Sequence, residues 1–492
     1  MLQSGPFEYR DEVAERLARF TVSADANLDE ATTRAAKRAL SDSVAVALGA
    51  LDHPASHCAR RFVAPLAHGS GCVIWGTGMR ANPDLATLVN GSLLRCFDYN
   101  DFYVGARNSG HPSDMTSGVV AVAEWVGASG AELLGALAVG YEVVGAVFDA
   151  FTTAPGGWDY TNLTGIGAVA AVARLLGLNE DQAREAFGIA VVPHFASDEV
   201  ESCELNRRGD LTMWKRFNGS DAVRNAVMAG MLAKAGVEGA IRPFVGANGF
   251  VAKLKNPVDP LPILTEKLAD GIMPRRIAQT YMKLWPVGSV GQSAIRAALE
   301  ARAQVADLGR IREVRVYSEE GAFDHLVAIR QDPYRPISRE TADHSMPYIV
   351  GAAVLDGYVH VDSFDLDRVL DPARQDFVAN RVKVFPDPSL GTIKSGKLAR
   401  AKAGYLSRVE IELADGTVAH GAAKPFPGHP DAPFSDADIM EKLGANAERF
   451  AGRASVEEIG AALRGFETIA NVREFTARLA FDWERATTSA AG

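Results

Sequence analysis

The sequence predicts a mainly α-helical protein that contains a second, smaller α+β domain. The chain has 492 residues, which is more than one hydrophobic core usually organises. Most of the first 270 residues carry helical periodicity rich in Ala, Leu, Val and Gly. After about Pro274 several segments alternate apolar and polar residues, which is typical of strands.

Three segments of the first part have the spacing of helices. They are TTRAAKRALSDSVAVALGAL at 32–51, AVAAVARLLGL at 168–178 and AVRNAVMAGMLAKAGV at 222–237. Their small residues favour close packing of neighbouring helices. Asn179 and Gln182 form a candidate capping box directly after Gly177, where the preceding helix is expected to end. We therefore expect consecutive helices that run antiparallel.

The α+β part is marked by three strand-like segments. They are REVRVYS at 312–318, RVKVFP at 381–386 and SRVEIELADGTVAHGAA at 407–423. Asp415 and Gly416 in the last segment predict a hairpin turn. A helical pattern then resumes, and its return is marked by four prolines, Pro425, Pro427, Pro430 and Pro433. The tail is expected to rejoin the helical domain.

Composition narrows the possible partners. The net charge is -10 at pH 7 and lysine or arginine runs are absent, which argues against a nucleic-acid-binding surface. The cysteines are too widely spaced in sequence to predict a disulfide framework or a zinc or iron–sulfur site; they are Cys58, Cys72, Cys96 and Cys203. We expect a reduced, cytoplasmic setting.

The sequence does not predict a membrane-spanning segment. The N-terminal MLQSGPFEYRDEVAERLARF lacks the apolar core of a signal peptide. The stretch from Gly118 to Phe151 is rich in small apolar residues, but acidic residues interrupt it: Glu124, Glu132, Glu142 and Asp149. We interpret this stretch as buried helix.

The segment from 97 to 124, FDYNDFYVGARNSGHPSDMTSGVVAVAE, concentrates groups that transfer protons or bind ligands. These groups are Asp98, Asp101, His111 and Asp114. The turn-forming GARNSG at 105–110 separates them, so the loop can fold them toward one cavity. Ser113 or Asp114 is expected to cap a helix that begins near Met115. The structural alternative is that the aspartates are caps and His111 satisfies a backbone group.

Two further loop-to-helix passages are candidates for the same site. The turn at 157–162 precedes a helix of small residues and suits a substrate wall, with Trp158, Asp159 and Tyr160 as its members. Lys215, Arg216 and Arg224 surround the second passage, where a partly buried lysine could stabilise a carboxylate or an enolate-like charge. The alternatives are a packed tryptophan and solvated surface cations.

A last cluster precedes an apolar helix and contains Arg339, His344 and Tyr348. Tyr348 would donate a proton if its surroundings lowered its pKa. The commoner role of such a residue is that of a core tyrosine with a satisfied hydroxyl group.

Six sequence blocks carry a resemblance to a known family. They are FDYND at 97–101, GHPSD at 110–114, GWDYT at 157–161, MWKRFNGSDAVRNAV at 213–227, KLWPVGSVGQSAI at 283–295 and RETADHSMPYIVGAAVLDG at 339–357. In this order they resemble the MmgE/PrpD superfamily, which includes 2-methylcitrate dehydratase, cis-aconitate decarboxylase and iminodisuccinate epimerase. The pattern is most similar to the 2-methylcitrate dehydratase branch.

The resemblance implies an architecture. A large all-helical domain would be built from both chain ends, residues 1–272 and 432–492, and a smaller α+β lid domain would be inserted over residues 273–431. The active site would lie in the cleft and the protein would be a homodimer. Candidate hinges for lid closure lie near 273–274 and 426–430.

The resemblance also implies the site residues. By position, the catalytic candidates are Asp98, His111, Lys215 and Tyr348. The substrate-binding candidates are Asp101, Ser113, Trp158, Asp159, Tyr160, Lys283, Gln292 and His344. In the implied dehydration, His111 is the principal acid or base and is oriented by Asp98. Lys215 supplies positive charge to the aci-carboxylate, and Tyr348 acts from the opposite face of the substrate.

Three positions depart from the pattern of the dehydratase branch. Tyr160 and Val290 stand where dehydratase relatives tend to have histidines, and Phe102 replaces a threonine. The pocket is therefore expected to be less polar than a typical dehydratase site, and the substrate to differ from 2-methylcitrate.

The first hypothesis is a cofactor-independent hydro-lyase acting on a hydroxy di- or tricarboxylate of the 2-methylcitrate kind. The second is a decarboxylase or an epimerase that uses the same proton-transfer site. The third, suggested by the replaced histidines, is a carboxylate-binding homodimer without turnover. A metal site built from the aspartates and His111 is a weaker alternative, so no metal or cofactor is expected. The expected partners are a small polycarboxylate and a second copy of the chain, with neither nucleic acid nor membrane.

Overall fold

A computed structural model describes residues 10–25, 27–200, 212–391 and 405–481. The chain is mainly helical, as predicted. Its helices are α1 Glu12–Ser23, α2 Glu30–Gly49, α3 Pro54–Val63, α4 Pro83–Arg95, α5 Thr116–Val126, α6 Gly130–Ala150, α7 Thr161–Leu176, α8 Glu180–Val191, α9 Asn218–Lys234, α10 Leu261–Lys267, α11 Gln292–Arg302, α12 Glu320–Phe323, α13 Arg339–Asp343, α14 Met346–Asp356, α15 Leu366–Val369, α16 Pro372–Arg381, α17 Asp436–Ala451, α18 Arg453–Arg464 and α19 Arg473–Thr476. Cys203 lies outside the described residues.

The strands are short in the first half of the chain and longer in the second. They are β1 Cys72–Val73, β2 Arg80–Ala81, β3 Tyr103–Val104, β4 Ser109–Gly110, β5 Ile311–Ser318, β6 Val382–Pro386, β7 Ser407–Leu413 and β8 Val418–Gly421. The last four form one sheet in the order β6-β5-β7-β8. β6 runs parallel to β5, and the other pairs are antiparallel. All three strand-like segments of the sequence are therefore strands.

The predicted helix signals are confirmed in detail. Asn179 accepts a hydrogen bond from the backbone of Gln182, whose side chain accepts one from the backbone of Asn179, so the capping box at the start of α8 is complete. Gly177 ends α7 with φ of 62°, in the left-handed region that glycine adopts without strain. The β7–β8 hairpin turns at Asp415 and Gly416, where Gly416 has φ of 84°.

The apolar stretch that begins at Gly118 is divided between α5 and α6. α6 has 21 residues and is long and apolar enough to cross a membrane, but 89% of its most apolar window is buried inside the protein. It packs against α5 and α7 within the larger core. Glu142 is accommodated in this helix because Arg276 pairs with it at 2.9 Å.

Two hydrophobic cores divide the molecule. The larger core draws on α1 to α10 and, from the C-terminal end, on α17 to α19. The smaller core contains buried residues between Tyr281 and Phe426 and also takes in Phe102 from the first part of the chain. Phe102 stacks on Tyr281 with ring centroids 4.6 Å apart, and the two residues pair through their backbones. The exact domain boundaries stay a prediction, but both chain ends contribute to the larger core.

Candidate active site

A cleft of about 480 Å³ lies between the two cores. One wall comes from the helical part and contains Asp98, His111, Trp158, Tyr160 and Lys215. The other wall comes from the part with the larger sheet and contains Val290, Glu319, His325 and His344. A small molecule in the cleft would thus contact both parts of the chain.

Asp98 is the central charged group of the cleft. It follows α4 in a left-handed backbone conformation with φ of 45°, which costs energy for a non-glycine residue. Its carboxylate faces cations and imidazoles on all sides. Lys283 Nζ lies 3.1 Å and Arg95 Nη1 3.3 Å from its oxygens, and the Nε2 atoms of His344 and His111 lie 3.6 Å and 3.8 Å away. Burial alone would raise the pKa of Asp98, but these neighbours, with Lys283 foremost, hold the pKa well below its ordinary value.

His111 is held as a neutral base. It follows β4, and its Nδ1 lies within hydrogen-bonding distance of the backbone oxygen of Asp101. A carbonyl oxygen can only accept, so Nδ1 carries the hydrogen and Nε2 keeps its lone pair. Burial lowers the pKa of His111 well below its usual value, and the charges of Arg95 and Lys283 add to this effect. The imidazole therefore presents Nε2 as a proton acceptor beside Asp98.

His344 faces Asp98 from the opposite wall, directly between α13 and α14. Its Nδ1 contacts the carboxyl group of Asp343, and its Nε2 lies 3.5 Å from Lys215 Nζ. Burial raises the pKa of Asp343 to about 8. The carboxyl group of Asp343 therefore keeps its proton to a higher pH than an ordinary aspartate, and Nε2 of His344 is the atom that points toward Asp98 and Lys215.

Three buried cations surround these groups: Arg95, Lys215 and Lys283. Burial lowers the pKa of Lys283 to about 8, against the opposing attraction of Asp98. Lys283 also donates to the backbone oxygen of Asp98 at 2.6 Å. Arg95 donates to Asn100 as well as to Asp98. Buried positive charge next to a cleft suits an anionic ligand.

Asp114 contributes to the site as an acceptor and not as a helix cap. α5 begins at Thr116 without a side-chain cap, so the prediction that Ser113 or Asp114 caps a helix near Met115 was wrong. The cause is a 3-10 turn over Pro112–Met115, which precedes the helix and turns both side chains inward. Asp114 accepts from Tyr160 at 3.0 Å and from Asn100 at 3.1 Å, and Ser113 accepts from Asn100 at 2.9 Å.

Six of the expected site residues are buried and do not line the cleft: Asp101, Ser113, Asp159, Lys283, Gln292 and Tyr348. Asp101 accepts from the Ser113 backbone and from the Tyr141 hydroxyl group. Asp159 accepts from the backbone of Thr161, and Gln292 binds the backbone of 284–285. Tyr348 donates its hydroxyl hydrogen to Ser363 at 2.8 Å, and burial raises its pKa to about 12. The structure does not bring Tyr348 to the face opposite His111, because Tyr348 lies in the first turn of α14 with its ring in the smaller core, whereas His344 lies in the link before that helix.

The three departures noted in the sequence all lie in the cleft. Tyr160 stands edge-on to His111 with ring centroids 5.5 Å apart, and it donates to Asp114. Phe102 and Val290 give the cleft an apolar surface. Trp158 also lines the cleft and donates to the Lys253 backbone at 2.9 Å.

Sequence reasoning missed Arg95, Asp343 and Glu319. Arg95 could have been found from its spacing, since it lies one helical turn before Asp98. Asp343 is adjacent to His344 in the sequence, and a carboxylate beside a candidate histidine is a usable signal. Glu319 carries no local signal, because only the fold brings the end of β5 to the cleft. Within the described ranges, no group of three or more His, Cys, Asp or Glu side chains is arranged to hold a metal ion.

Comparison with known proteins identifies relatives over most of the chain. The family model described as MmgE/PrpD N-terminal domain matches residues 15–260, and the model described as MmgE/PrpD C-terminal domain matches residues 285–466. The 2-methylcitrate dehydratase of Cupriavidus necator is 26% identical over 423 residues, which cover 80% of this chain and 81% of that protein.

Two further relatives differ in the activity that their names state. The 2-methylcitrate dehydratase of Escherichia coli K12 is 24% identical over 403 residues, covering 77% of this chain and 78% of that protein. The cis-aconitate decarboxylase of Mus musculus is 26% identical over 463 residues, covering 88% of this chain and 86% of that protein.

Proposed function

This chain belongs to the MmgE/PrpD family and is a lyase, and from that premise we propose that it removes water from a hydroxy di- or tricarboxylate of the 2-methylcitrate kind. The observation that carries the proposal is the neutral His111. Its Nδ1 is fixed by a backbone oxygen, and its Nε2 faces a cleft lined by buried cations. An oriented imidazole that keeps its lone pair at neutral pH is a suitable general base.

In the first step, Nε2 of His111 takes the proton from the carbon next to a substrate carboxylate. The electron pair of the broken C–H bond moves into that carboxylate and forms an aci-carboxylate, whose added negative charge must be stabilised. Lys215 is buried in the wall of the cleft, and it is the cation that we assign to this charge.

In the second step, the electron pair returns to form the carbon–carbon double bond and the C–O bond breaks. His344 donates a proton from Nε2 to the departing hydroxyl group, which leaves as water. The carboxyl group of Asp343 at Nδ1 and the Asp98 carboxylate 3.6 Å from Nε2 support this role. We therefore assign to His344 the part that the family pattern suggested for Tyr348.

The buried cations of the cleft support an anionic substrate. Arg95 and Lys215 line the cleft and Lys283 contacts Asp98, while Asp98, Asp198 and Glu319 are the acidic residues of the lining. Carboxylates of a substrate can bind these cations through charge-assisted hydrogen bonds.

A decarboxylase is the second candidate, and the apolar side chains of Phe102 and Val290 favour it. A carboxylate placed against such side chains loses hydration, which assists its departure as carbon dioxide. His344 or His111 would then protonate the resulting carbanion. An epimerase would need only the proton transfers of the first step.

A proton NMR time course in deuterated water, without added metal, separates these reactions. The panel contains 2-methylcitrate, citrate, cis-aconitate and related hydroxy acids. A new vinyl signal with loss of water establishes the dehydratase, and release of carbon dioxide establishes the decarboxylase. Deuterium uptake without net product indicates an epimerase.

Two results would count against catalysis of this kind. Turnover that persists in a folded His111→Ala protein would remove His111 as the base. Saturable binding of the acids without any product would favour a carboxylate-binding protein without turnover, and calorimetric titration of the same panel measures this.

We propose further that the protein acts as a cytoplasmic homodimer. Apolar side chains are exposed on α5 and α9, which pack against each other; they include Trp125, Val126, Met228 and Leu232. A patch of this kind is typical of a protein–protein interface. Sedimentation velocity at micromolar concentration tests the assembly, and a Met228→Lys, Leu232→Lys double variant should sediment as a monomer.

A further inference from the structure

We infer that Lys442 and Asp42 are positioning residues for the cleft, because together they hold the backbone of the two segments that carry Asp98 and Lys283. This inference rests on the proposed function of the cleft. Neither residue lines the cleft, and they belong to opposite ends of the chain: Asp42 lies on α2 and Lys442 on α17. Each side chain is 1% exposed.

The ammonium group of Lys442 makes three hydrogen bonds. It donates to Asp42 Oδ1 at 2.6 Å, to the backbone oxygen of Lys283 at 2.7 Å and to the backbone oxygen of Tyr99 at 3.3 Å. It also lies over the Tyr99 ring, 3.9 Å from the centroid. An ammonium group has three donors, so this geometry uses all of them.

Both backbone oxygens belong to segments that build the cleft. Tyr99 directly follows Asp98, whose φ of 45° must be held by its surroundings. Lys283 contacts Asp98 twice, at the carboxylate and at the backbone oxygen. By binding these two backbone oxygens, Lys442 fixes the position of Asp98 relative to Lys283. Asp98 is the carboxylate that the imidazoles of both His111 and His344 face.

A second contact joins the same two segments independently of Lys442. The Tyr99 hydroxyl group donates to the backbone oxygen of Leu284 at 2.8 Å. The two segments are thus joined by Lys442 and, separately, by the Tyr99 hydroxyl group. Loss of Lys442 would allow a small displacement of one segment relative to the other without separating them.

The charge of Lys442 is costly at this position, which argues for a specific role. A buried ion pair often contributes no more to stability than apolar side chains of similar volume. The other ionisable groups that interact with Lys442 or Asp42 include Lys283, Asp101, Tyr99, Tyr141 and His360. An apolar pair would fill the space but would leave the backbone oxygens of Tyr99 and Lys283 without their donor.

The test compares an Asp42→Leu, Lys442→Met double variant with the wild-type protein. Removing both charges avoids an unpaired buried ion, so the variant is expected to fold. Lys37→Met is the matched control: Lys37 also lies on α2 and pairs across to the C-terminal part, with Glu467 at 2.7 Å, but it contacts nothing at the cleft. Circular dichroism and thermal unfolding establish that each protein is folded.

We expect the kcat of the double variant to fall about 10- to 100-fold, since displacements near 1 Å at a reacting group have effects of this size. KM should change less than 3-fold, and Lys37→Met should match the wild type. The second readout is NMR of protein labelled at histidine, which records the Nε2 and Cε1 signals of His111 and His344. The chemical shifts and titration midpoints of these signals should change in the double variant and not in Lys37→Met.

The histidine signals keep this inference separate from the proposed function. If the wild type turns over no acid of the panel, the proposed function fails, but the imidazole signals still report whether Lys442 positions Asp98. Imidazole signals and kcat in a folded double variant that equal those of the wild type would show that the ion pair is merely structural and would overturn the inference.

Discussion

At the scale of single residues, the two imidazoles of the cleft differ in the partner of Nδ1. His111 is bound to a backbone oxygen, which can only accept, and His344 to the carboxyl group of Asp343, which can also donate when it is protonated. The first arrangement keeps Nε2 free of hydrogen, and the second can supply hydrogen to Nε2. One carboxylate, Asp98, faces both Nε2 atoms. The geometry thus separates a base from an acid.

His111→Gln should lower kcat by about 10²- to 10⁴-fold, which is the usual contribution of a general acid or base. Glutamine keeps a donor for the Asp101 oxygen, so the fold should be retained. Steady-state kinetics on the best acid of the panel measures the change. His420→Gln, at an exposed position on β8, is the control and should leave kcat unaltered. Equal rates for both variants would exclude His111 as the base.

The rate should depend on pH through Lys283 and Asp343, whose pKa values both lie near 8. Burial lowers the pKa of Lys283 to about 8, so Lys283 loses its proton, and Asp98 its main counter-charge, as the pH rises through about 8. On the acid side His111 stays neutral to well below pH 6.5, because its pKa is depressed. We expect kcat/KM to be level from about pH 6.5 to 7.5 and to fall above about 8.

Lys283→Arg provides the check on this assignment. Arginine keeps its proton over this range, so the alkaline fall should become less steep, because only the proton of Asp343 is then lost near pH 8. A pH profile of kcat/KM whose alkaline limb is as steep in the variant as in the wild type would assign the whole fall to Asp343.

The sequence predicted those site residues that lie in recognisable local motifs. Asp98, His111 and Lys215 were expected in one cavity, and all three line the cleft. The sequence did not distinguish Tyr348 from His344, because both belong to one short block. Only the fold shows that His344 reaches the cleft while Tyr348 lies in the smaller core. Their roles in the reaction remain predictions until the variants are measured.

At the scale of elements, the hairpin formed by β3 and β4 sets the position of His111. Gly110 ends β4 and packs against Tyr160, so that a Cβ atom there would lie 2.2 Å from the ring. This close approach lets Tyr160 reach Asp114 while its edge contacts His111. Strands of two residues show no periodicity, which is why the sequence predicted a loop here and strands only for the longer sheet.

Gly110→Ala should therefore disturb the cleft more than the fold. The added methyl group must displace Tyr160, and we expect kcat/KM to fall by about 10-fold or more, as for other displacements of groups that touch a substrate. Gly78→Ala is the matched control, since nothing lies within 4 Å of a Cβ atom at that position. Kinetics and thermal unfolding of both variants test this expectation. Equal losses of activity in the two variants would contradict it.

At the scale of the whole molecule, the ion pairs of Arg276 anchor the chain to the larger core just before it enters the smaller core. Its guanidinium group contacts Glu142 at 2.9 Å, Asp149 at 2.8 Å and the Tyr103 hydroxyl group at 2.9 Å. These contacts tie the chain that leads toward the smaller core to α6 and to β3. The sequence placed a hinge near 273–274, but it could not show this anchorage because the acidic partners lie more than 100 residues away.

Arg276→Met should lower the free energy of unfolding by about 3 to 5 kcal/mol, because it leaves buried carboxylates without their counter-ion. The adjacent Arg275→Met is the control. Arg275 pairs with Asp29 on the surface, with 64% of its side chain exposed, and the expected change is at most about 1 kcal/mol. Urea unfolding measures both changes in the free energy of unfolding. Similar decreases in the two variants would show that burial of the Arg276 ion pairs is unimportant for stability.

The pairing of Lys442 with Asp42 also has a consequence for biosynthesis. α2 is made early, but α17, which helps to complete the larger core around it, is made about 400 residues later. At about 5–20 residues per second, α2 and the apolar α6 wait for tens of seconds without these partners. The smaller core, whose segments are contiguous apart from Phe102, can form first. Nascent chains of this protein should therefore need chaperones that hold the unfinished helical part until α17 and α18 are made.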